Sequence, residues 1–295
     1  MNRYERLMKR IDEGERILID GATGTEVERR GVPQLDNAWN GGGALSHPEV
    51  LRTVHEDYIR EGAEIVISNT FATHRHVLVD AKVEDKFERL NRRSVEIARE
   101  ARDRMAAPDV LVSGGISYWS FTDNWPEPES LRGSTEEQAS VMAEAGADLL
   151  MLEMMVDIDS MLVVLEAAQT SGLPVWVGLS CERDHSGAMA LLRGGGLADA
   201  LDALSGLKVP LVNIMHTEVE DIDACLDVVR ERWQGPVGVY AHSARWHGHV
   251  CIFDNTIQPD AYANHAQTWL RQGAQVIGGC CGLGVDHIKA LRGIL

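Results

Sequence analysis

Short apolar runs recur along the whole chain, and most of them end in a polar or small residue. We identify eight: Ile17–Asp20, Glu64–Ser68, Val110–Ser113, Leu149–Glu153, Val175–Ser180, Pro210–Met215, Val237–Tyr240 and Val276–Gly279. Continuous runs of this kind are typical of strands that are buried on both faces of a sheet. The pattern therefore predicts eight buried strands.

Helical patterns lie between these runs. Their apolar positions are spaced by three and four residues over Pro48–Glu61, Gln138–Ala145, Asp157–Ser171, Thr217 to about Trp233, Asp260–Arg271 and Asp286–Leu291. Two of these helices are preceded by pairs that fit a capping box, Ser134 with Glu137 and Thr217 with Glu220. We expect both pairs to mark helix starts.

Eight strands that alternate with helices in 295 residues favour an α/β protein, a single (β/α)8 TIM barrel domain over residues 1–295. A doubly wound open sheet is the alternative, but no Gly-x-Gly-x-x-Gly follows the first run, which argues against a dinucleotide-binding fold. Long segments follow three predicted strands, at 114–134, 181–197 and 241–259. In a barrel all three lie at the C-terminal face, where active sites are found.

Composition and charge narrow the class of protein. The chain is 44% hydrophobic and 25% charged, with a net charge of -17, which disfavours nucleic acids and anionic membrane surfaces as partners. No apolar run approaches the roughly 20 residues of a membrane span, and the charged start does not read as a signal peptide. Five cysteines are too few for a disulfide framework, so we expect a reducing, cytoplasmic setting. The sequence does not reveal the oligomeric state, and a homo-oligomer stays open.

The sharpest local signal is the sequence GGCCG at 278–282, at the end of the eighth run. Two thiolates at one strand end suit a soft metal ion such as Zn²⁺, although two small buried residues at the barrel rim would give the same pattern. A third ligand would come from another strand end, where His216, His242 and Cys181 are candidates.

Two acidic residues also lie at strand ends, Asp20 and Glu153. A carboxylate is costly to bury unless it is paired, so these acids either accept backbone amides or bind a substrate ammonium group. Trp39 and Trp119 fall in predicted loops, where an aromatic ring either packs within the loop or holds a methylated cation by cation–π attraction.

Six stretches together resemble the zinc-dependent homocysteine S-methyltransferases, the group that includes the betaine- and S-methylmethionine-dependent enzymes. They are Leu18–Gly31, His47–Phe71, Gly146–Glu153, Val175–Cys181, Gly235–Tyr240 and Trp269–Leu291. The combination of DGATGTE near the start with GGCCG near the end is specific. The resemblance implies a single (β/α)8 barrel, in agreement with the strand pattern.

The resemblance implies a zinc site. The family's GGCC cysteines bind zinc, which assigns Cys280 and Cys281 as ligands. The family's third ligand is a cysteine in an Asn-Cys-Thr motif after the sixth strand. Matching the threonine and the Glu-Asp pair that follow places His216 at this position, whereas a shift by one would place Met215, a poor zinc ligand, there.

The resemblance also implies substrate contacts. Asp20 and Glu153 would help to hold the amino group of homocysteine, and Thr70, in the second matching stretch, would also contact substrate. Trp39 lies where the betaine enzymes carry a tryptophan that contacts the methyl donor.

The chain departs from the family pattern on the donor side. Tyr240-Ala241-His242 stands where the family usually has Tyr-Pro-Asn, and residues 117–120, which include Trp119, replace Gly-Pro-Tyr-Gly. We expect His242 and Trp119 to contact substrate, but the identity of the donor does not carry over from the family.

The expected reaction is methyl transfer from a small sulfonium or quaternary ammonium donor to the thiol of homocysteine, which gives methionine. An unperturbed thiol has a pKa near 8.5, so zinc would be needed to remove its proton at neutral pH. The leaving group departs neutral, so no catalytic residue beyond the metal site is required. The less negative ligand set with His216 favours a reactive sulfonium over betaine, or a different thiol acceptor. Another zinc-assisted reaction, such as that of a hydrolase or lyase, and a non-catalytic binding barrel are the alternatives.

Overall fold

Eight parallel strands form one sheet in the computed structural model, which describes residues 1–243 and 255–295 and the backbone of the strands Arg245–His247 and Val250–Ile252. The barrel strands are Ile17–Leu18, Ile65–Ile67, Leu111–Ile116, Leu149–Met155, Val175–Leu179, Val212–Glu218, Val237–His242 and Val276–Ile277. Each overlaps one of the eight predicted runs, although the ends differ by up to a few residues. Numbered in this order, the first strand pairs with the eighth, and the rest follow in sequence from the eighth to the second.

The sheet closes on itself between its first and second strands. Ile19 pairs in parallel with Ile65. The backbone N–H of Glu64 donates to Leu18 O at 2.8 Å, and that of Asp20 donates to Ile65 O at 3.0 Å. The predicted (β/α)8 TIM barrel is confirmed.

Helices surround the barrel. Their bounds are Arg3–Asp12, Thr23–Arg29, Gly43–Ser46, Pro48–Arg60, Arg75–Asp80, Phe87–Arg104, Pro128–Ala145, Ile158–Gln169, Leu197–Leu204, Ile222–Arg232, Pro259–Arg271 and Val285–Arg292. Antiparallel hairpins join Cys181–Arg183 to Met189–Leu191 and Arg245–His247 to Val250–Ile252. No helix in the described ranges has the length and apolar character needed to cross a lipid bilayer.

Both predicted capping boxes are wrong. The helix that contains Ser134 begins at Pro128, and the Ser134 hydroxyl donates to Ser130 O at 2.7 Å within it. Thr217 lies inside the sixth strand, where its hydroxyl accepts from Cys181 N at 2.9 Å. The α-helix that follows begins at Ile222, after a short 3-10 helix over Val219–Asp221. Serine and threonine hydroxyls bond backbone groups in several settings, so spacing alone did not identify a cap.

The first helix closes the N-terminal end of the barrel. Leu7 and Ile11 are buried in the core, and Trp176 Nε1, at the start of the fifth strand, donates to Tyr4 Oη at 3.0 Å. Arg3 Nη1 lies 3.0 Å from Asp148 Oδ1, just before the fourth strand. With this end covered, a ligand reaches the barrel from the opposite end, where the strands finish.

Candidate metal centre and substrate cavities

His216, Cys280 and Cys281 meet at the C-terminal end of the barrel. The Cys280 Sγ lies 3.5 Å from His216 Nδ1 and 3.9 Å from Cys281 Sγ, and the three candidate ligand atoms all lie within 4.8 Å of one another. Burial lowers the pKa of His216 well below its ordinary value, which keeps the ring in the neutral form that binds metals. Two sulfurs and one imidazole nitrogen fit a metal site with three protein ligands and an open position.

Two bulged strand ends direct the key side chains. The register of the fourth strand shifts between Leu152 and Met155, and that of the sixth shifts between Met215 and Glu218. Each irregularity contains one residue other than glycine with a positive φ, Met154 at 53° and His216 at 44°. Such backbone is unfavourable for residues with a side chain and is concentrated at functional sites, where a bulge re-aims a side chain.

The other two candidates for the third ligand lie beside the cluster. The ring of His242 is 4.3 Å from that of His216, measured between centroids, and its Nε2 lies 3.0 Å from Glu218 Oε1. Hydrogen bonding to Cys225, together with burial, raises the pKa of the Cys181 thiol well above its ordinary value, which disfavours the thiolate. Within the described residues, the ligand-competent group is His216, Cys280 and Cys281.

Asp20 and Glu153 line a cavity of about 80 Å³ together with the three cluster residues; we call it the first cavity. Asp20 Oδ2 accepts from Ile67 N at 2.7 Å, but burial still raises the pKa of Asp20 well above its ordinary value. Glu153 is 9% exposed, and burial raises its pKa to about 8. The described lining of this cavity contains no lysine or arginine, so a substrate ammonium group would stabilise the charged form of the two carboxyl groups.

Tyr240 also lines this cavity, although it was not among the predicted site residues. It is buried, and its hydroxyl has no hydrogen-bond partner in the described part of the chain. Burial raises the pKa of Tyr240, so it stays protonated and can donate a hydrogen bond to a ligand. The seventh strand pairs with the eighth, whose end carries Cys280, and this adjacency was the available signal.

Thr70 lies behind the first cavity rather than in its wall. Its hydroxyl donates to Gly115 O at 2.7 Å and accepts from Gly115 N at 3.1 Å. A Cβ at Gly115 would lie 2.6 Å from Glu153 Oε2, so the glycine makes room for that carboxyl group. Thr70 therefore supports the segment on which Glu153 rests.

The two tryptophans expected to contact substrate lie in different cavities. Trp39 lines the first cavity and packs edge-on against Phe71, with ring centroids 6.4 Å apart. Trp119 and His242 line a cavity of about 380 Å³, which we call the second cavity. His216 and Met154 line both cavities, so the candidate metal centre stands at their shared wall.

Comparison with known proteins agrees with this geometry. Residues 17–295 match the family model described as homocysteine S-methyltransferase. The homocysteine S-methyltransferase of Escherichia coli K12 is 27% identical, covering 99% of each chain, and the selenocysteine methyltransferase of Astragalus bisulcatus is 24% identical over 96% of this chain and 93% of that one. The metallated form of the E. coli homocysteine methyltransferase MmuM superposes with a TM-score of 0.82 at 26% identity, covering 99% of each chain. The chain belongs to the homocysteine S-methyltransferase family.

Proposed function

We propose that this chain is a zinc-dependent methyltransferase that moves a methyl group from a sulfonium or quaternary ammonium donor to the thiol of homocysteine, giving methionine. The observation that carries the proposal is one cavity with a His-Cys-Cys cluster and two buried carboxyl groups, Asp20 and Glu153. This combination fits a ligand with both a sulfur atom and an ammonium group. In this proposal residues 1–295 act as one barrel domain.

His216, Cys280 and Cys281 would hold the zinc ion, and the homocysteine sulfur would take the open position. Bound zinc would lower the pKa of that thiol, so that it is a thiolate at neutral pH. Because the proposed ligands include two reduced thiols, we place the reaction in a reducing, cytoplasmic setting.

Asp20 and Glu153 would fix the amino end of the acceptor, so that its sulfur lies towards the cluster in the same cavity. In the transfer the thiol proton is lost to solvent, a bond forms between sulfur and the methyl carbon, and the bond from that carbon to the positively charged donor atom breaks. Its electron pair stays on the donor, which leaves neutral at that atom. No protein group needs to donate a proton, so the chain contributes positioning and exclusion of water.

The decisive measurement is the zinc content of protein purified under reducing conditions. We expect about one zinc per chain in the wild type and in Cys225→Ala, because Cys225 is a buried cysteine outside the cluster. We expect Cys280→Ala to lose both the zinc and methyl transfer to homocysteine.

Two results would contradict the proposal. Wild-type protein that binds no zinc after reconstitution would support a non-catalytic binding barrel. Zinc that survives in Cys280→Ala would place the metal elsewhere.

A further inference from the structure

The second cavity has a one-sided charge. Its described lining includes the acidic residues Asp123, Glu182, Glu218 and Asp221 and contains no lysine or arginine. Arg183 Nε lies 2.7 Å from Asp221 Oδ1 and offsets the charge of that carboxylate. The field of Glu182 and Glu218 favours a cation in the cavity and repels a carboxylate.

His242 provides an independent indication of a ligand. Its side chain lines the second cavity and is only 5% exposed, yet neither ring nitrogen has a hydrogen-bond partner among the described residues. The Glu218 carboxylate lies 3.0 Å from Nε2, but not in hydrogen-bond alignment. A buried polar group of this kind is costly to leave unpaired, so a ligand in the cavity would satisfy it.

Aromatic rings complete the wall. Trp119 and Phe121 line the cavity together with the acidic residues. Aromatic faces attract onium groups, whose charge is spread over methyl groups that cannot donate strong hydrogen bonds. Acidic residues and aromatic rings in one cavity therefore favour an organic cation over a metal ion or a neutral ligand.

We propose that the second cavity binds the methyl donor and selects donors that carry a net positive charge. This inference rests on the proposed methyltransferase function. His216 lies in the wall that the two cavities share, so an onium methyl group in the second cavity would lie close to a sulfur held at the cluster. A zwitterionic donor such as glycine betaine would bring its own carboxylate against the acidic wall and bind weakly.

The competing location for the donor is the first cavity, beside Trp39. There the acidic residues Asp20 and Glu153 are already committed to the acceptor in the proposed reaction, and Trp39 Nε1 is already paired, donating to Glu28 Oε2 at 3.3 Å. A donor in the second cavity would lose affinity when Glu182 and Glu218 are neutralised, whereas a donor in the first cavity would lose affinity when Trp39 is changed.

The test measures binding separately from activity. Isothermal titration calorimetry of zinc-loaded protein without acceptor would use trimethylsulfonium and S-methylmethionine as cations, and glycine betaine as the zwitterion. We expect the Glu182→Gln/Glu218→Gln variant to bind both cations about tenfold more weakly and glycine betaine no more weakly. The control Glu220→Gln removes an acidic side chain of the same region that does not line the second cavity, and should change affinity less than twofold.

Methyl-transfer kinetics with homocysteine supply the second measurement. We expect the double variant to raise the KM of the cationic donor and to leave the KM of homocysteine unchanged. Three results would overturn the inference. The double variant could bind the cations as tightly as the wild type, only Trp39→Phe could weaken their binding, or the wild type could bind them undetectably. If the cations bind as expected but no donor supports methyl transfer, the proposed function fails while the cation site stands. If transfer occurs with a donor KM that ignores the acidic residues, the inference fails alone.

Discussion

Glu153 is a carboxyl group in surroundings that oppose its charge. Burial raises its pKa from 4.5 to about 8, so between these values the folded protein keeps a proton that the unfolded chain has lost. The favourable effect of this proton on the free energy of unfolding is therefore fully present below about pH 4.5 and is lost as the pH rises towards 8. The loss amounts to about 1.4 kcal/mol for each unit by which the folded and unfolded pKa values differ.

We predict that Glu153→Gln stabilises the metal-free protein at pH 8 by a few kcal/mol and has little effect near pH 4. Urea unfolding across this range, in the presence of a chelator, measures the difference. The control Glu144→Gln alters a carboxylate that is 62% exposed and should show no such trend. Equal stability of wild type and Glu153→Gln at pH 8 would contradict the assignment, as would full retention of homocysteine affinity in the variant.

We align His216 with the third cysteine ligand of the family, and His216→Cys tests this alignment at the residue scale. We predict that His216→Cys retains about one zinc per chain and methyl transfer, because its side chain leaves the same strand bulge and the φ of 44° is already accommodated by a residue other than glycine. A third thiolate makes the ligand set more negative and the substrate sulfur more nucleophilic. The ratio of turnover with glycine betaine to turnover with S-methylmethionine should therefore rise. Loss of zinc from this variant would show that the alignment of His216 with the family cysteine is wrong.

The sequence was sufficient to identify the residues that converge at the site, because parallel strands in a closed barrel all end at one rim. Asp20, Glu153, His216 and Cys280 lie at or just beyond four different strand ends and line one cavity. The orientation of a hydroxyl was not predictable in the same way. Thr70 bonds Gly115 behind the wall, whereas the Tyr240 hydroxyl has no partner in the part of the chain that the structure describes, and only packing distinguishes them.

At the scale of elements, the apolar runs located all eight strands, but the lengths of several strands depended on their neighbours. The sixth strand continues through His216 and Thr217 to Glu218, which pairs with His242 across the register shift. The sequence predicts a helix start at this position, because the spacing of Thr217 and Glu220 fits a capping box. Cross-strand pairing competed with capping for the same backbone groups, and a single sequence does not reveal which prevails.

The first helix offers a prediction about an element that is remote from the site. Leu7 is buried against the core at the N-terminal end of the barrel, whereas Lys9 on the same helix is exposed. We predict that Leu7→Ala lowers the free energy of unfolding by about 2–4 kcal/mol and leaves the zinc content unchanged, because the cavity it creates is at the opposite end from the cluster. Chemical denaturation and metal analysis measure the two effects.

The matched variant Lys9→Ala should change stability by less than about 0.5 kcal/mol. If Leu7→Ala lost zinc while still folded, the two ends of the barrel would be coupled, and the division between a stabilising end and a functional end would be wrong.

The whole molecule carries a net charge of -17, which bears on how substrates arrive. A field of this size attracts cations and acts over about one Debye length, roughly 10 Å at 0.1 M salt.

If the donor is a cation that enters by the acidic second cavity, kcat/KM for S-methylmethionine should fall severalfold between 0.02 and 0.5 M salt, and that for glycine betaine should change little. The Glu182→Gln/Glu218→Gln variant should keep part of this dependence, because most of the net charge lies elsewhere on the chain. A salt effect of equal size on both donors would point to the cluster or the acceptor instead. If the difference between the two donors disappeared in the double variant, the whole salt effect would arise from the wall of the second cavity.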